Sequence, residues 1–148
     1  MISAAKKAAF KIATSIWRCD VRETVVISGS PRSGTTWLSE LIREIPDYKM
    51  LNEPLSLNSS VPAQDIETLE WRTHLTQESK APEVEDLMHR ALTGRVRHPH
   101  MWRFQASTAI GELAEIIRNR NLVIKIIRAT RMLPWLSARF PVRCILSI

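Results

Sequence analysis

The sequence predicts an α/β fold, a parallel β-sheet flanked by helices in three layers. Apolar runs rich in β-branched residues recur at Thr24–Ile27, Leu122–Ile127 and Val142–Ile148, with a shorter candidate strand at Tyr48–Leu51. Between these runs the apolar period turns helical. Thr24–Ser28 is apolar or small on both faces, as a strand covered by helices on both sides must be. The order is strand, helix, strand, helical insert, strand, helix, strand, which crossover geometry turns into a parallel sheet.

Met1–Trp17 sets Lys6, Lys7 and Lys11 among alanines, with Phe10, Ile12, Ile16 and Trp17. It reads as an amphipathic helix packed on the domain, the alternative support being a membrane surface. It lacks a convincing cleavage site after an apolar core, so it does not read as a signal peptide. The first strand, Thr24–Ser28, is followed by a loop and then by Trp37, Leu38, Leu41, Ile42 and Ile45, one stripe of a helix starting at Gly34. Pro46 ends it. Tyr48–Leu51 runs into Asn52-Glu53-Pro54-Leu55, and Ser56–Ala63 clusters Ser, Asn and Pro as a loop. Ile66, Leu69 and Thr73 suggest a helix over Gln64–Glu78. Pro82 opens another, with Val84, Leu87, Met88, Ala91 and Leu92 on one face and Gly94 as its stop. Arg95–Arg103 is irregular, basic and aromatic; Ile110, Leu113, Ala114 and Ile117 mark a further helix ending by Asn119–Asn121. Residues 60–121 therefore read as a helical insertion between the second and third strands. Lys125 alone breaks the apolar run Leu122–Ile127, Leu133–Phe140 is a short helix, and the chain stops on the last strand. A buried final strand with nothing after it suggests that residues 1–148 are the N-terminal part of one domain.

Net charge is +6, which suits a polyanionic ligand, nucleic acid or an acidic surface without choosing among them. Cys19 and Cys144 are isolated and fit no metal or redox spacing, so they read as reduced thiols of a cytoplasmic protein. No stretch reaches about 18 apolar residues, and no transmembrane helix is expected.

The chemistry concentrates in Thr24–Trp37, TVVISGSPRSGTTW. Strand, glycine loop and helix are the layout of a phosphate cradle, in which loop and helix-start N–H groups point at one anion. Gly29 and Gly34 bracket four residues, as in the Walker P-loop. Thr35 stands where that loop has Lys, Thr36 fills the last slot, and the cation lies inside the loop at Arg32. An ordinary ATPase or GTPase fits this poorly. In open α/β sheets ligands sit outside the carboxyl ends of the strands, which places this loop, Asn52–Leu55 and Lys125–Arg131 on one edge.

PRSGTTW closely resembles the 5′-phosphosulfate loop of sulfotransferases that use 3′-phosphoadenosine 5′-phosphosulfate (PAPS). The Glu-Pro-Leu segment at Glu53 and LVIKIIRATRMLPW at Leu122–Trp135 are similar to the carbohydrate sulfotransferases and their bacterial relatives. The resemblance spans much of residues 24–148 and implies a P-loop-like fold and transfer of a sulfonate to a hydroxyl of a carbohydrate or small-molecule acceptor. It implies Arg32 as the cation on the leaving oxygen, with Ser33, Gly34, Thr35 and Thr36 on the 5′-phosphate. Trp37 is either an adenine platform or a core residue of its helix. Glu53 is the candidate base, the alternative being a turn-capping or Arg-paired surface Glu. Lys125 and Arg128 are candidates for the sulfonate or an anionic acceptor, or are structural. PAPS is the implied cosubstrate, and no metal is expected. The family's last strand is followed by groups that bind the 3′-phosphate, and this chain ends before them.

His98 and His100 flank Pro99 without a third ligand and make a poor zinc site. Arg95, Arg97, Trp102, Arg103 and Phe104 mix basic and aromatic residues as single-strand binders do, though a loop lining an acceptor pocket accounts for them as well. His74 and His89 read as surface groups on helices. Two other function classes stay open: a nucleotide kinase or NTPase with a degenerate P-loop, and a non-catalytic remnant that binds anions or nucleic acid.

Overall fold

The computed structural model describes residues 4–55, 74–97 and 101–148. Its centre is a five-stranded sheet. Strand β1 (Val25–Ser28) pairs in parallel with β4 (Asn121–Lys125) on one side and β5 (Cys144–Ser147) on the other. Beyond β4 lies β2 (Tyr48–Asn52), also parallel. The outermost strand is β3 (Trp102–Arg103), antiparallel to β2, so the spatial order is β3-β2-β4-β1-β5.

The apolar character of β1 and β4 on both faces is now explained. Val26, Leu51, Leu122 and Ile124 point into the larger core, closed by Phe10 and Ala13 of α1 (Ala4–Ile16), Val84, Leu87, Met88 and Ala91 of α3 (Pro82–Leu92), Ile116 of α4 (Ala109–Arg118) and Trp135 of α5 (Leu133–Arg139). Val25, Ile27, Met50 and Val123 point the other way, under Leu38 and Ile42 of α2 (Thr35–Arg43). Helices thus cover both faces.

The insert is not purely helical. Trp102–Arg103 of the stretch expected to be irregular adds the antiparallel strand. Trp102 is buried, gives its indole N–H to the Val96 carbonyl at 3.0 Å and stacks on Phe104. Packing rather than propensity puts it there. Of the expected helix Gln64–Glu78, residues 74–78 are not helical: Thr76 N–H bonds the Ser79 hydroxyl, and Ser79 N–H bonds the Thr76 carbonyl. A local side-chain bond offers the backbone an alternative to the helix ladder. The rest of that helix, the loop Ser56–Ala63, and His98 and His100 lie outside the described residues. His74 is exposed but not on a helix; His89 is exposed on α3.

Lys49 of β2 is buried, its ammonium bonded to the Ile116 carbonyl at 2.8 Å and lying 5.9 Å from the Trp102 ring centre. Burial pulls its pKa below 10.5, against the pull of the neighbouring Cys19 thiol. Burial pushes Cys19 above 9.0, opposed by Lys49. Below 10.5 the unfolded chain protonates Lys49 more readily than the folded one, so this group makes stability rise with pH. Above 9.0 the thiol acts in the opposite sense, because only the unfolded chain releases its proton. With the thiol removed the lysine is isolated. In urea melts Cys19→Ala should gain stability over Cys19→Ala/Lys49→Met as pH is raised toward 10.5, and a flat difference would refute the assignment.

Candidate functional site

The loop after β1 stays compact for steric reasons. A Cβ on Gly29 would lie 2.5 Å from the Ile148 carbonyl oxygen, 2.8 Å from Ser33 Oγ and 2.9 Å from Thr35 Cγ2. Only hydrogen fits. Ser33 N–H closes a turn on the Ser30 carbonyl at 3.2 Å. Arg32 takes a φ of 67° and Gly34 a φ of 86°, and this left-handed path turns the chain into α2. Nothing lies within 4 Å of the Cβ position of Gly34, so the loop is open there.

Gly34 is the N-cap of α2, and no side chain caps that end among the described residues. The first N–H groups of a helix lack intrahelical acceptors, and the end carries positive partial charge. Ser33 Oγ is buried without a partner. An uncapped helix start beside an orphaned hydroxyl is an arrangement that an oxyanion would satisfy.

Around this loop the structure distributes the candidate residues unevenly. Arg32 and Thr36 are exposed, while Thr35 is buried and offers its backbone N–H at the helix start. Trp37 is 67% exposed, which removes it from the core and leaves its ring free beside the loop. Lys125, at the carboxyl end of β4, reaches across and donates to Thr36 Oγ1 at 2.9 Å. A Walker loop carries its ammonium in the loop itself; here one arrives from the adjacent strand.

Lys125 Nζ also lies 3.6 Å from Glu53 Oε1. The two side chains are 9% and 19% exposed, so the pair is screened less than a surface ion pair. The Glu53 carboxylate accepts from Ile127 N–H at 3.3 and 3.2 Å, and its own N–H bonds the Lys125 carbonyl at 2.8 Å. Its φ is 51°, an uncommon conformation for a residue with a Cβ. Thr36, Lys125 and Glu53 therefore form one connected group. Arg128 lies in the 3-10 segment Ile127–Met132, and its side chain is outside the described part of the structure.

Three contributors were not singled out in the sequence. Ser28 Oγ and Thr130 Oγ1 are 3.1 Å apart at the carboxyl end of β1, and the Ile127 N–H holds Glu53. Thr130 stood within the Lys125–Arg131 edge segment, which was the available signal. A cavity of about 260 Å³ lies elsewhere, lined by residues that include Thr14, Leu87, Arg90 and Arg95, and touches none of these groups. Arg90 and Arg95 sit around the C-terminal end of α3, where cations complement helix carbonyls.

At this level the chain defines an α/β protein with a mainly parallel sheet and an uncapped glycine loop between the interior strand β1 and helix α2. No protein family, curated protein or solved structure matches it.

Proposed function

We propose that this chain carries the donor-binding core of a PAPS-dependent sulfotransferase of P-loop-like fold, acting on a hydroxyl of a carbohydrate or small-molecule acceptor. What carries it is the PRSGTTW loop ending on an uncapped helix start, with Lys125 and Glu53 drawn to the same edge.

In this reading the N–H groups of Gly34, Thr35 and Thr36 hold the 5′-phosphate, and the Trp37 ring stacks on the adenine. Glu53 takes the proton of the acceptor hydroxyl as its oxygen bonds to sulfur. The bond from sulfur to the 5′-phosphate oxygen breaks, and Arg32 and Lys125 neutralise the charge that grows on that oxygen and the sulfonate. The ammonium is already held between Thr36 and Glu53, so little reorganisation is needed.

Calorimetric titration with adenosine 3′,5′-bisphosphate tests the donor site. It should bind without added metal and more tightly than magnesium ATP. Arg32→Ala should weaken binding about tenfold, the scale of one lost charge-assisted bond. Tighter binding of magnesium ATP would favour the kinase class. Oligonucleotide binding with a steep salt dependence and no competition from the bisphosphate would favour the binding remnant.

A further inference from the structure

Helix α1 has two apolar sides, and one of them is uncovered. Phe10, Ala13 and Thr14 are buried, with the Thr14 hydroxyl on the Phe10 carbonyl at 2.9 Å. On the opposite side Ala5, Ala8, Ile12 and Ile16 follow one another at helical spacing and are all exposed. Ile12 and Ile16 each keep 60% of their surface in solvent, and Trp17 keeps 40%. A solvated helix face ordinarily carries charged groups. Here charge flanks the apolar ridge: Lys11 and Arg18 are exposed beside it. Residues 1–19 hold four basic residues and no Asp or Glu. Lys6 is engaged elsewhere, 2.7 Å from Glu112, and ties α1 to α4.

We infer that this ridge docks on an anionic lipid surface. Ile12 and Ile16 enter the boundary between headgroups and acyl chains, while Lys11 and Arg18 keep their charges at the phosphates and bury their stems. Charge complementarity chooses this occupant. A second copy of the chain would set like charges against each other, and a nucleic acid would leave the isoleucines unused. The net charge of +6 adds long-range attraction to an acidic surface. No helix among the described residues is long and apolar enough to cross a membrane, so α1 lies in the plane of the surface.

Vesicle flotation tests this independently of the donor site. The chain should float with phosphatidylcholine–phosphatidylserine vesicles at low salt and stay behind with phosphatidylcholine alone. Ile12→Asn/Ile16→Asn should lower the bound fraction about tenfold, because apolar burial is lost. Lys11→Glu/Arg18→Glu keeps the ridge and should lower binding about twenty-five-fold or more, at roughly fivefold per basic group removed. Circular dichroism melts should match wild type, since all four positions are solvent-facing. If the asparagine variant does not fold, the charge-reversal variant decides. Equal flotation with both vesicle types, none with either, unchanged flotation of the variants, or a dimer lost in the asparagine variant would overturn the inference.

Discussion

Glu53→Gln should lower sulfonate transfer about 10²–10⁴-fold, the range for a lost general base. Affinity for adenosine 3′,5′-bisphosphate should change less than about twofold, because Glu53 is assigned no donor contact. Gln keeps an oxygen for the Ile127 N–H, the anchor that now measures 3.3 and 3.2 Å. It removes the site that takes the proton and the charge beside Lys125. A purely anchoring Glu53 would behave differently: with the Ile127 bond kept by Gln, turnover would hold. Initial rates read beside urea melts separate the two roles, and unchanged turnover would exclude Glu53 as the base.

Gly29→Ala should be the most disruptive single methyl in the loop. Its Cβ would meet the Ile148 carbonyl oxygen at 2.5 Å, and that backbone is held by the bond from Ile148 N–H to the Ser28 carbonyl at 3.0 Å. The loss should be about 1–3 kcal/mol, as for overpacked interiors, with bisphosphate binding lost as the loop shifts. Gly34→Ala is the contrast. Space is free around its Cβ, and the cost is conformational, because φ is 86°. About 1 kcal/mol is expected there. Denaturant melts of the two variants measure steric against torsional cost, and a larger loss at Gly34 would refute the packing seen at Gly29.

Elements with local causes were legible. Pro82 at the first turn and Gly94 beyond the end bracketed α3, observed at Pro82–Leu92. The β-branched runs located β1, β4 and β5 to within two residues. Elements with tertiary causes were not legible. A two-residue strand has no period, and Trp102 is positioned by the Val96 carbonyl and the Phe10 and Phe104 rings. In the site, the loop and Glu53 stood out because glycines and a Glu-Pro step leave local marks. The partner of Lys125 could not be read, because Thr36 is 89 positions away in the chain. Trp37 fell on an apolar stripe, yet of that stripe Leu38 and Ile42 pack on the sheet while Trp37, Leu41 and Ile45 stay exposed.

Arg32 and Glu53 are two of the three non-glycine residues with positive φ among those described, Asp47 being the other. Each such backbone costs about 1–2 kcal/mol that glycine would not incur. Glycine at the exposed position 32 would therefore make a more robust protein, whereas at position 53 the loss of the Lys125 pair and of the Ile127 bond outweighs the backbone gain. Directed evolution for heat resistance alone should drift toward glycine at position 32, and selection for the proposed sulfonate transfer should hold Arg32 in place.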